Sequence, residues 1–241
     1  MKVFLAGALG IIGRPLAFLL LSQRHEVVGT TRSADRIPEL EALGVTPVAL
    51  DALDRSAVMK ALSAAKPDVL IHQLTDLPDI YRPEQVDSDR QRNAHLRVVG
   101  TANLASAARD YGVRRLIAQS IAFVYAPGRK PHLEEDALDE GASDSTRIAV
   151  EGVLALERTV MSTPGVEGIV LRYGRLYGPG TWFSEKPASP VVHPDAAAHA
   201  ALLALTEGDP GIYNVAEDDG SVSIARARQQ LGFDPAFRLD H

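Results

Sequence analysis

Seven residues near the amino end constrain this chain more than any other stretch: Gly7-Ala8-Leu9-Gly10-Ile11-Ile12-Gly13. Residues 2–6 before them form an apolar, β-branched and aromatic run that reads as a buried strand. Residues 14–22 after them read as a helix with Pro15 in its first turn, where the missing N–H costs nothing. Residues 26–30 read as the next strand. Strand, glycine turn, helix and strand within about thirty residues make a βαβ unit of the kind that holds a dinucleotide. A pyrophosphate must approach the helix N-terminus closely enough to accept backbone N–H bonds and feel the positive end of the helix dipole. A Cβ at Gly7 or Gly10 blocks that approach or forbids the turn, and Gly13 lets the helix pack close to the sheet. The expected contacts are therefore Gly7, Leu9, Gly10, Ile11, Ile12 and Gly13.

The same alternation continues. Strands are expected at 45–50, 67–72, 115–119, 166–173 and 211–216, and helices at 55–64, 89–110, 145–161 and 193–205. That pattern predicts an α/β fold of Rossmann type, a doubly wound, mostly parallel sheet with a small C-terminal substrate appendage. The expected division is a dinucleotide-binding domain over 1–175 and a short substrate-side segment over 176–241, packed on the same domain.

In such a sheet, ligands lie at the carboxyl ends of the strands. Strand two ends in Thr31 and Arg32, where a chain that prefers NAD usually carries Asp or Glu. An arginine there attracts a 2′-phosphate and grips it bidentately, so NADP is the expected cofactor and NAD the second choice. Asp51, Ala52 and Leu53 follow strand three, with Asp51 placed to accept from an adenine amino group, while Asp54 reads as the N-cap of the next helix. Gln73 and Leu74 follow strand four and pass beside the ribose. Ser120 follows strand five, and Tyr125 comes soon after. Tyr173 ends strand six, where it either touches the nicotinamide or packs the core.

Composition removes other classes. With no cysteine among 241 residues there is no disulfide, thiolate metal site or cysteine nucleophile. A formal net charge of −6 leaves no basic footprint for nucleic acid. No apolar run approaches a membrane span, and Arg14-Pro15 interrupts the only stretch that imitates a secretory leader, so a cytoplasmic location is expected. The histidines are scattered without metal-ligand spacing, and Ser120 lacks the context of a nucleophile elbow. The expected partner is a small-molecule substrate, and a homodimer stays open.

Several stretches together resemble one family. The three glycines, Asp51, Gly100-Thr101-x-Asn103-Leu104, Ser120 through Val124-Tyr125, Leu171-Arg172-Tyr173, Tyr177-Gly178-Pro179-Gly180 and His193-Pro194-Asp195 occur in the order seen in extended short-chain dehydrogenase/reductases, the NAD(P)-dependent epimerases and dehydratases. So do Tyr213-Asn214-Val215 and the run from Ala225 to Pro235. The resemblance implies oxidoreduction at a carbinol or carbonyl carbon, often of a sugar. It also implies a tyrosine base whose pKa is lowered by a lysine four residues on, with a nearby Ser or Thr orienting the substrate oxygen.

The chain departs from that pattern at the proton-transfer half. None of its six tyrosines is followed by a lysine four positions later. Aligning the helix on Glu151 places Ser143 and Arg147 at the tyrosine and lysine positions, which makes the chain similar to atypical members. The family's asparagine three residues before Gly100 is here Arg97, another expected cofactor contact. Ser120 and Tyr125 are the remaining catalytic candidates, with Arg97, Arg129 or Arg147 as cations that would lower the phenol pKa. Two functions follow from these features: an NAD(P)-dependent oxidoreductase or epimerase-like enzyme with a non-standard proton donor, or a dinucleotide-binding redox sensor or regulator with little turnover.

Overall fold

A computed structural model describes residues 1–78 and 80–239. Its centre is a seven-stranded sheet of β1 (Lys2–Ala6), β2 (Glu26–Thr31), β3 (Thr46–Ala49), β4 (Val69–His72), β5 (Arg115–Ile121), β6 (Glu167–Tyr173) and β9 (Gly211–Val215). The spatial order is β3-β2-β1-β4-β5-β6-β9. Every pairing is parallel, so the sheet is fully rather than mostly parallel. A two-stranded parallel ribbon, β7 (Arg175–Leu176) with β8 (Val191–Val192), lies outside it.

Helices cover both faces, which is why the central strands are apolar at every position rather than at alternate ones. On β1, Val3 and Leu5 join the core under α1 (Gly13–Ser22) and α7 (Pro194–Leu203). Phe4 and Ala6 join the opposite core, under α3 (Arg55–Ala65), α5 (Thr101–Asp110) and α6 (Asp144–Ser162). Helix α7 is alanine-rich, and its buried small side chains let it lie close to α1. The segment after residue 175 thus contributes α7 and β9 to the main layers.

Two elements differ from the sequence expectation. A short helix, α2 (Ile37–Ala42), precedes β3, and Glu39 on it ties Arg14 of α1 to Arg36 at 2.5 and 2.7 Å. The helix expected over 89–110 starts earlier, as α4 (Val86–His95), and is interrupted by a π turn over Leu96–Gly100 before α5. No helix among the described residues is long and apolar enough to cross a membrane.

Candidate functional site

The topological switch falls between β1 and β4, which neighbour each other while their connections run to opposite sides. The glycine turn sits at that point. Gly7 has φ +92°, and a Cβ on it would stand 2.9 Å from the Gln73 carbonyl oxygen at the end of β4. A Cβ on Gly13 would stand 2.0 Å from the Gly7 oxygen, so the third glycine closes α1 onto the turn itself. Gly10 is different: it is exposed, and its nearest obstacle is the Gly7 oxygen at 3.3 Å. The Gly7 N–H donates to Thr30 Oγ1 at 3.2 Å, which pins the turn to β2. The helical ladder opens with the Arg14 N–H to Gly10 O bond at 3.0 Å. The preceding N–H groups at Ile11 and Ile12 are those a helix leaves without intrahelical partners. Leu9 and Ile12 are buried and Ile11 stands 42% exposed at the rim. A glycine floor beside a helix N-terminus, at a switch point, fits a dinucleotide pyrophosphate.

The turn after β3 is held by the expected Asp54 cap and by bonds that the sequence did not disclose. Asn103 donates to the carbonyls of Ala52 at 2.9 Å and Leu53 at 3.2 Å, fixing the turn after β3. Asp51 is used locally, its Oδ1 accepting from the Leu53 N–H at 3.0 Å, and Asp54 caps α3 through the Ala57 N–H. Thr31 is nearly buried; Arg32 beyond it is 64% exposed and reaches Asp76 at 3.3 Å. Asp76 is itself placed by its N–H bond to Asn93 at 2.9 Å.

At the other end, Gln73 donates from Nε2 to the Tyr173 hydroxyl at 3.1 Å, linking the ends of β4 and β6. Its Oε1 is buried with no partner. Tyr173 is in the core, and burial raises its pKa against the opposing Gln73 bond. Beside Gln73, His72 accepts the Leu74 N–H on Nδ1 at 3.2 Å, so its proton sits on Nε2, 3.0 Å from Thr101 Oγ1. Burial, and then the Arg97 charge, lower its pKa to about 4.

The two hydroxyls expected to do chemistry are both engaged inside the protein. Ser120 is fully buried, and its Oγ donates to Glu157 Oε1 of α6 at 2.7 Å. Glu157 also receives Arg172 Nε at 2.8 Å and Nη2 at 2.6 Å. Tyr125 donates to Asn214 Oδ1 at 2.7 Å and accepts from Arg172 Nη1 at 2.8 Å, with His132 stacked on its ring. Burial raises the Tyr125 pKa, and the Arg172 charge and bond only partly oppose it. The cation at Tyr125 is therefore Arg172, from β6, and not Arg97, Arg129 or Arg147. Arg147 is exposed and pairs with Glu151 on its own helix at 3.3 Å. Arg97, from the π turn, is buried at 6% exposure, and burial lowers its pKa to about 10 against the attraction of Glu157.

The short segment after β7 closes the far side. A Cβ on Gly180 would lie 3.8 Å from Ile11 Cδ1. Trp182 donates from Nε1 to the Pro78 carbonyl at 2.9 Å and stands 5.4 Å from the Tyr81 ring. The loops after β4 and after β7 thus meet. A concavity of about 790 Å³ elsewhere, along β2, β3 and α3, includes no residue of the glycine turn. Among the described residues no cluster of three or more metal-ligating side chains occurs.

The sequence profile described as the NAD dependent epimerase/dehydratase family matches residues 3–191. The chain is 43% identical over 229 residues to a 3-diazoavenalumate denitrifying reductase from a Streptomyces species, covering 94% of this chain and 71% of that protein. It is 27% identical over 183 residues to the 2-alkyl-3-oxoalkanoate reductase of Stenotrophomonas maltophilia, covering 75% of this chain and 52% of that one. Among solved structures, the Bordetella bronchiseptica enzyme WbmG in complex with NAD superposes with a TM-score of 0.75 at 19% identity, covering 99% and 90% of the two chains.

Proposed function

The chain belongs to the NAD dependent epimerase/dehydratase family, and from that premise we propose that it is an NADPH-dependent reductase that replaces a diazo group on an aromatic carbon by hydrogen. The observation that carries this reading is the committed state of the hydroxyls. Ketone reduction needs a hydride and a proton, and the proton must come from a positioned donor. Here Ser120 is spent on Glu157, Tyr125 on Asn214 and Arg172, and no lysine follows a tyrosine at the family's spacing.

A diazonium carbon makes no such demand. NADPH, if held at this site, would supply a hydride to that carbon; dinitrogen would leave with the electrons of the broken C–N bond, so that charge balances without a proton. The chain's own task is then binding, orientation and water exclusion. Gly7, Gly10 and Gly13 shape the pyrophosphate seat, with the Ile11 and Ile12 N–H groups as donors and Leu9 supporting the turn from the core. Arg32, beside Thr31, takes the 2′-phosphate in exchange for Asp76. Ala52 and Leu53 flank the adenine after Asp51 has set their turn. Gln73 and Leu74 receive the nicotinamide half, while Tyr173 stays in the core behind them and holds Gln73 through its hydroxyl. The relative named as a denitrifying reductase of a diazo compound supports the reaction class.

The test is anaerobic incubation of the protein with NADPH and a simple arenediazonium salt. Expected are oxidation of the nicotinamide and release of dinitrogen in equal amounts, above the rate without protein. A second reading, carbonyl reduction, draws on the oxoalkanoate reductase relative; turnover of ketones with no action on the diazonium would favour it. Cofactor binding without turnover of either substrate would favour a redox sensor.

A further inference from the structure

Among the described residues three arginines are nearly buried, and two of them are neutralised. Arg172 bonds both oxygens of Glu157. Arg115 bonds Glu167 at 2.8 Å and the carbonyls of Ala204 and Glu207. Arg97 is the exception: at 6% exposure it makes no hydrogen bond and no ion pair among the described residues. Its electrostatic neighbour is Glu157, a carboxylate whose oxygens already receive Arg172 and Ser120. Its charge is also felt by His72, which is neutral at physiological pH and offers no compensating charge.

A buried cation without a bonded counter-charge is costly and persists where something else justifies it. The position of Arg97 supplies the reason. It lies in the π turn of Leu96–Gly100, and such turns occur disproportionately at functional sites because they redirect one side chain out of the helical register. That turn packs against α6 and runs directly into Thr101, whose Oγ1 lies 3.0 Å from His72 Nε2 at the end of β4, the residue before Gln73 and Leu74.

We infer that Arg97 is the seat for an anionic oxygen of the substrate, a carboxylate or phenolate carried by the aromatic compound. The inference rests on the proposed reading of the site and deepens it, since it states which aromatic compounds the site selects. A guanidinium presents several donors in a plane, and a carboxylate accepts two of them side by side. When the ligand is seated, the charge of Arg97 acquires the partner that the protein withholds from it.

The test reads binding, so it does not depend on turnover. Calorimetry on the NADP-saturated protein compares cinnamate with cinnamide, which differ in charge and little in shape. Expected is a preference of about tenfold or more for cinnamate, on the scale of a charged hydrogen bond. Arg97→Met should abolish that preference, and Arg97→Lys should keep part of it. The ligand-free Arg97→Met protein should melt no lower than wild type, because the substitution removes an unpartnered charge and leaves no partner stranded. Equal binding of cinnamate and cinnamide by wild type, an undiminished preference in Arg97→Met, or a marked fall in its melting temperature overturns the inference. The wild-type comparison stands even if a variant fails to fold. Failure on diazonium turnover with the cinnamate preference intact would overturn the reaction and leave the anion seat standing.

Discussion

Arg32 shows what a single residue discloses in sequence and what it withholds. Its position after strand two and its charge were legible, because strand ends and charge types are local properties. Its partner Asp76, forty-four positions away, was not. Arg32 is exposed and Asp76 keeps Arg92 nearby at 4.0 Å, so releasing Arg32 to a 2′-phosphate costs little. Arg32→Ala is expected to weaken NADP(H) binding by about 1.5–3 kcal/mol, the scale of a charge-assisted hydrogen bond, and to leave NAD(H) nearly unchanged in calorimetric titration. Equal losses for both would remove Arg32 from the 2′-phosphate. His72 gives a second prediction at this scale. Its pKa in the folded protein is about 4, below the usual value of 6.5, so the folded state binds fewer protons than the unfolded one in that interval. Stability from this group is complete above pH 6.5 and is lost as pH falls toward 4, amounting to about 3 kcal/mol. Denaturant midpoints from pH 7 to 4 should therefore fall less steeply in His72→Gln than in wild type; parallel slopes would show that His72 is not the group responsible.

Among the elements, the first βαβ unit was legible nearly to the residue because everything that specifies it is adjacent in sequence. The π turn was not, since one extra residue in a turn barely disturbs apolar spacing over a helix of that length. Nor was the purpose of Gly100-Thr101-x-Asn103: Asn103 holds the β3–α3 turn and Thr101 meets His72, both through contacts between distant strands and helices. The three glycines also do different work. A methyl group on Gly13 would overlap the Gly7 carbonyl, whereas one on Gly10 projects from an exposed turn. Gly13→Ala is therefore expected to cost about 3 kcal/mol or more of stability through backbone strain and overpacking. Gly10→Val should keep the wild-type melting temperature within a few degrees and lose dinucleotide binding. Thermal melts beside calorimetry separate the two effects; a Gly10→Val protein that still saturates with cofactor would displace the pyrophosphate from this turn.

Across the whole molecule, the network of Ser120, Glu157, Arg172, Tyr125 and Asn214 joins β5, α6, β6 and β9, so no local pattern announces it. The sequence offered Arg97, Arg129 or Arg147 as the cation for Tyr125; the sheet supplies Arg172, because β5 and β6 are neighbours with Ser120 opposite Arg172 in register. The result is a hydroxyl pair held in the fabric of the fold, with the Tyr125 pKa raised by burial rather than lowered for service as a base. A reaction run on this scaffold should then show its hydride and no proton. With NADPH carrying deuterium at the transferred position, the arene product should contain one deuterium at the carbon that bore nitrogen. The rate should fall by the factor expected of a primary isotope effect. In heavy water with unlabelled NADPH the product should contain no deuterium there, and the rate should change little from pH 6 to 9. Tyr125→Phe should leave kcat within about threefold while lowering stability by about 1–3 kcal/mol, the cost of leaving the Asn214 oxygen and an Arg172 N–H without their partner. Deuterium entering the product from solvent, or a kcat that collapses in Tyr125→Phe, would return a protein-borne proton to the mechanism and Tyr125 to the reacting atoms.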